Sequence, residues 1–173
     1  MAPLVNPCSQ LGAGTAQLAC SLASHWSSRL KCYTATDIPA RVEQIREMVA
    51  ASAVVCAAPL TWGELLNTTT TYDLIICSDL LYYNGADIFE QDQLEPLAST
   101  LAAAMGCRTL ALCSFRVRDA DREAAFASLC REHGLYVEAC EKAIVAVHSP
   151  AVPLDVESTG ALALWTITKS KDA

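Results

Sequence analysis

Short apolar runs alternate with longer stretches of helical spacing along this chain, and that alternation constrains its fold more than any single motif. The clearest run is Asp73-Leu74-Ile75-Ile76-Cys77-Ser78. Its middle is apolar without interruption, as a strand covered on both faces should be. A strand is predicted there over 72–81, and others over 33–36, 53–57, 107–115, 135–140, 143–147 and 161–168. Between them, 38–51 carries Val42, Ile45 and Val49 on one helical face, with Pro39 suited to the first turn. A second helix is predicted over 89–105 with the stripe Leu94, Leu97, Leu101 and Met105. A third starts from Asp119 as N-cap, turns Phe126, Leu129 and Cys130 inward, and ends at Gly134. Strand and helix in turn imply an α/β fold: a mostly parallel sheet with helices on both faces. The last strands have no helix between them, only the Pro150- and Pro153-bearing segment 149–159, so an antiparallel strand is expected at the sheet edge.

Hydrophobic residues make up 53% of the chain and charged residues 18%, a composition that forms a core and argues against disorder. The net charge of −7 argues against a general nucleic-acid binder, which needs a basic surface. It suits a small cofactor or a basic protein segment, and it also simply favours solubility. None of the nine cysteines forms a Cys-x-x-Cys pair, so neither a zinc site nor a redox dithiol is indicated. Most are expected as small buried hydrophobes, and their odd number points to a reducing compartment, cytoplasmic or also nuclear. No apolar run approaches the ~20 residues of a membrane span, so no membrane partner is expected. His25, His133 and His148 lie far apart, and no metal is expected. Arg116, Arg118 and Arg122 read chiefly as a solvated loop, with a substrate-facing role as the alternative.

Leu11-Gly12-Ala13-Gly14-Thr15 precedes a helix-compatible stretch over 16–23. Glycines at a strand-to-helix turn let backbone approach a ligand and aim the helix N-terminus at it. Asp37 follows about 20 residues on, where an acidic side chain can accept both hydrogen bonds of a ribose diol. Trp62, in Pro59-Leu60-Thr61-Trp62-Gly63, can wall an adenine or close a sheet edge. Asp79 ends the fourth strand, on the side where open α/β sheets bind ligands. The residues feeding the glycine turn, Leu4-Val5-Asn6-Pro7-Cys8-Ser9-Gln10, are poor for a central strand, because proline gives no N–H to a ladder. That strand is expected to be short, displaced or replaced.

The series LGAGT, TATD, LTWG and YDLIICSDLLYY, in this order and spacing, resembles the seven-strand S-adenosylmethionine-dependent methyltransferases, and most closely their protein-lysine branch. The resemblance covers nearly the whole chain. It implies a Rossmann-like seven-stranded sheet, S-adenosyl-L-methionine as cofactor, and a lysine-bearing protein as substrate. It also implies that Gly12, Ala13 and Gly14 pass under the cofactor's methionine part, that Asp37 holds the ribose hydroxyls and that Trp62 lies against the adenine. Ser78 would line the pocket. Asp79 and Tyr82 match the family's Asp-x-x-Tyr element beside the channel where amine meets methyl. Only ten residues precede Leu11, so a single domain over 1–173 lacking the usual N-terminal segment is expected. Methylation of another side chain or of a small molecule is the alternative activity. A non-catalytic binding domain is the alternative outside enzymes.

Overall fold

The computed structural model describes residues 7–26, 28–64, 72–82, 92–140 and 162–169. Its strands are β1 (Cys8–Leu11), β2 (Tyr33–Asp37), β3 (Val55–Pro59), β4 (Leu74–Ser78), β5 (Leu110–Arg116), β6 (Leu135–Ala139) and β7 (Leu162–Lys169). Its helices are α1 (Gln17–His25), α2 (Pro39–Val49), α3 (Leu94–Ala104) and α4 (Ala120–Glu132). The seven strands form one sheet in the order β3-β2-β1-β4-β5-β7-β6. All pairings are parallel except those of β7, which runs antiparallel to both β5 and β6. The antiparallel strand expected at this edge is there, tucked one place in from the rim, with β6 outermost. The segments expected to be extended over 143–147 and looped over 149–159 lie outside the described residues, as does the expected start of the 89–105 helix.

Two apolar cores lie on the two faces of the sheet, and β4 feeds both. Ile75 and Cys77 point into a core with Leu97 and Leu101 of α3, Phe126 and Cys130 of α4, and Phe115 of β5. Leu74 and Ile76 point into the other, with Ala19 of α1, Ile45 and Val49 of α2, and Tyr33 of β2. This is the physical reason the run is apolar at every position rather than at alternate ones. The α3 stripe is buried as expected, and Lys169 Nζ donates to the carbonyls of Ala102 and Met105 at 3.0 and 3.2 Å, closing that helix's C-terminal end. Asp119 caps α4, its carboxylate accepting from the N–H groups of Asp121 and Arg122 at 3.1 and 3.2 Å.

The first strand is short and central. Pro7 stands just outside it, so its missing N–H removes nothing from the ladder, while its carbonyl accepts from Asp73 N–H at 2.9 Å. The polar residues within β1 are buried and satisfied by β2. Tyr33 Oη donates to Gln10 Oε1 at 2.9 Å, and Thr36 Oγ1 donates to the Gln10 carbonyl at 2.7 Å. A polar strand can thus sit mid-sheet because its neighbour supplies the partners that burial demands.

All nine cysteines are free thiols. Four, Cys8, Cys77, Cys113 and Cys130, are buried; the other five reach solvent to some degree, fewer in the core than expected. Burial pushes the Cys8 and Cys130 thiols up to about 12, which keeps them protonated. Among the described residues no helix is long and apolar enough to cross a membrane.

Candidate active site

The chain leaves β1 for β2 on one side of the sheet, and later places β4 on the other side of β1. The point where the order reverses leaves a crevice at the carboxyl ends of the strands. Here it is a cleft of about 440 Å³. Gly12, Gly14, Asp37, Trp62, Ser78, Asp79 and Tyr82, seven of the eight residues singled out from the sequence, line it.

The floor is the turn after β1. Gly12 and Gly14 both have left-handed backbone, with φ of +58° and +57°. They need glycine for different reasons. A Cβ on Gly12 would stand 2.7 Å from Leu80 Cδ2 and 3.3 Å from the Trp62 ring, so two walls close directly on it. A Cβ on Gly14 would meet nothing within 4 Å, so there the backbone conformation alone favours glycine and the space above is open. Ala13, the eighth residue, packs its side chain into the α1–α2 core and gives its N–H to the Thr36 carbonyl at 2.8 Å. It fixes the turn from behind and does not line the cleft.

Asp37 ends β2 beside this turn. Its Oδ2 accepts from Gly14 N–H at 2.8 Å and its Oδ1 from Ile38 N–H at 2.9 Å. Two bonds leave about half of a carboxylate's roughly four acceptor sites unused. Those free sites suit a pair of neighbouring hydroxyls. Trp62 is carried on the loop after β3, which is anchored to α3 by Gly63 N–H donating to Thr100 Oγ1 at 2.8 Å. Trp62 packs on the core and lines the cleft.

The far end is built by β4 and β5. Asp79 follows Ser78 with φ of +56°, unusual for a residue with a side chain, and its N–H donates to the Ser114 carbonyl at 2.7 Å. Arg118 holds both carboxylate oxygens, at 2.7 and 2.9 Å, and Arg116 N–H reaches one of them at 3.4 Å. The Arg118 guanidinium keeps this carboxyl below its ordinary value of 3.8, against a smaller opposing effect of partial burial. Arg122, largely covered, donates to the Leu81 carbonyl at 3.0 Å and pairs with Asp92 at 3.0 Å. Tyr82 is exposed at the rim.

The arginines after β5 do more than the expected solvated loop. Instead of forming a solvated loop, Arg118, just after β5, and Arg122, in the first turn of α4, hold the residues after β4. The available signal is their position just after the carboxyl end of a predicted strand. Ile38, Arg41, Leu60, Thr61, Leu80 and Gln93 complete the lining.

The arrangement suits a nucleoside-bearing ligand: an acceptor pair for a diol, an aromatic wall, and a turn open above Gly14. The volume lies in the range of small-molecule sites.

Solved structures of methyltransferases share the fold. The N-methyltransferase NodS from Bradyrhizobium japonicum WM9, in complex with S-adenosyl-L-homocysteine, superposes with a TM-score of 0.65 at 14% identity, over 97% of this chain and 80% of that one. A TehB-like S-adenosylmethionine-dependent methyltransferase from Corynebacterium glutamicum gives 0.63 at 19% identity, over 98% and 83%. The ribosomal protein L11 methylase from Lactobacillus delbrueckii subsp. bulgaricus gives 0.61 at 16%, over 98% and 72%. No curated protein matches the chain. Residues 8–133, which include every cleft residue named above, match the lysine methyltransferase family. The chain belongs to that family, with the Rossmann-like fold of S-adenosylmethionine-dependent methyltransferases and S-adenosylmethionine as its cofactor.

Proposed function

We propose that this protein transfers the methyl group of S-adenosylmethionine to the side-chain amine of lysine in a protein substrate. The observation that carries the reading is the family match over residues 8–133, which spans both ends of the cleft. In this reading Asp37 accepts from the ribose hydroxyls, Trp62 lies against the adenine, and Gly12 and Gly14 give the methionine part room. Ser78 lines the pocket wall. Asp79 and Tyr82 stand where the acceptor amine enters.

The cofactor supplies a methyl already attached to a good leaving group, so the chain's residues need chiefly to bind, orient and exclude water. Orientation can account for roughly 7–11 kcal/mol of such a barrier. The acceptor must arrive without its proton, although lysine's unperturbed pKa is about 10.4. An apolar wall such as Leu80, next to Asp79, favours the neutral amine by desolvation. Tyr82 offers a hydroxyl at the rim that can orient it.

A second reading, methylation of a different amine, has the support that the similarly folded NodS is named an N-methyltransferase. Incubating the protein with isotopically labelled cofactor and cellular protein, then mapping the label by mass spectrometry, separates the two. Label on lysine side chains, lost in Asp79→Ala with cofactor binding retained, is the expected result. Label only on small amines, or transfer undiminished in Asp79→Ala, contradicts the reading.

A further inference from the structure

At the end of the cleft where the acceptor would enter, the carboxylate is already engaged. Both oxygens of Asp79 accept from Arg118, at 2.7 and 2.9 Å, while Arg118's own N–H donates to Glu123 Oε1 at 3.1 Å. The side chains of the pair are 43% and 49% exposed, and ion pairs in such positions add little to stability. Yet Asp79 makes this pair from left-handed backbone, at φ +56°. A strained residue kept at a ligand site, without a matching gain in stability, points to function.

The charge logic supplies one. An unpaired carboxylate here would attract cations, and the cation most available is the ammonium form of an amine acceptor. That form has no lone pair with which to attack a methyl group. Asp79 paired with a guanidinium is electrically balanced, and the nearby positive charge disfavours protonation of the incoming amine. We propose that Arg118 is a positioning residue for methyl transfer: bound to Asp79, it balances the carboxylate so that this end of the cleft takes a neutral amine and not its ammonium form. Arg118 acts through Asp79 and is not itself a reacting group. Arginine suits the task because its planar fork matches both carboxylate oxygens and it does not lose its charge. The inference rests on the amine-methylation reading above.

The cofactor and its demethylated product, S-adenosylhomocysteine, differ by one methyl and one positive charge. Together they read the charge at this end of the cleft with no acceptor present. Calorimetric titration of both into the wild type, Arg118→Gln, Arg118→Lys, Asp79→Asn and the double variant Asp79→Asn/Arg118→Gln gives the ratio of the two affinities. Arg118→Gln should shift that ratio toward the cationic cofactor by about threefold to tenfold, the size expected for a partly screened unit charge. Arg118→Lys and the double variant should stay near the wild-type ratio, and Asp79→Asn should shift it the opposite way. An Arg118→Gln effect equal on both ligands, or absent, overturns the proposal. So does an unshifted ratio in Asp79→Asn, which keeps the test informative even if Arg118→Gln does not fold. If the wild type binds neither ligand, the cofactor assignment falls and this inference with it. If the wild type binds both but no variant moves the ratio, only this inference falls.

Discussion

At the glycine turn the cleft is made largely of backbone tied to β2, whereas the segment at Asp79 is held chiefly by two arginine side chains. Ala13 N–H on Thr36 and Gly14 N–H on Asp37 tie the turn to β2 within the sheet itself. Asp79 depends on Arg118, and Leu81 on Arg122, both reaching over from the segment after β5. The first end is therefore preorganised by the fold and tolerates little change. The second can be altered residue by residue without disturbing the sheet. A family that keeps one cofactor and varies its acceptors would divide its site in this way.

The largest effect is expected at the rigid end. Gly12→Ala must force a Cβ against Leu80 and Trp62 in a left-handed backbone. Strain and overpacking together should cost about 3 kcal/mol, lowering the melting temperature by roughly 10 °C and abolishing measurable cofactor binding. Thermal denaturation and calorimetry check both. Asp37→Ala should weaken cofactor binding on the order of 100-fold, since it removes charge-assisted acceptors worth about 1.5–3 kcal/mol each. A loss below fivefold would place the ribose elsewhere.

At the other end, Arg122→Ala removes a donor to the Leu81 carbonyl and the ion pair with Asp92, from a largely covered side chain. A loss of about 1–2 kcal/mol is expected in chemical denaturation. Arg118→Gln should change stability by less than about 1 kcal/mol, because its pair is half exposed. The pH sign follows from Asp79. Its carboxyl is held below 3.8, so the pair's small contribution is complete above that value and is lost only as pH falls through the lowered one. The stability difference between Arg118→Gln and wild type should accordingly be flat from roughly pH 5 to 8. A difference that grows across that window would contradict the pairing.

The legibility of the sequence follows the same division. The β4 strand was readable because burial on both faces leaves a continuous apolar run, a local signature. Asp37 and the glycines were readable because their spacing is dictated by one strand–helix–strand unit. The β1 strand is hard to read: Ser9 and Gln10 argue against a central strand until the Thr34 carbonyl accepts from Ser9 and the hydroxyls of Tyr33 and Thr36 donate to Gln10, and those partners are distant in sequence. The resemblance puts Ala13 under the cofactor with its two glycines, but only the folded chain shows that its side chain turns into the core. Arg118 and Arg122 stayed obscure because their meaning depends on β5 lying beside β4, which only the sheet order reveals.

In the proposed function, S-adenosylmethionine binds in the crevice between β1 and β4 through Asp37 and the glycine turn. Isothermal titration of the cofactor into the wild type and into Asp37→Ala tests it most directly. One-to-one binding in the wild type, weakened on the order of 100-fold in a variant that stays folded by circular dichroism, is the expected result. Equal affinities in the two proteins, or no heat with either, would contradict it.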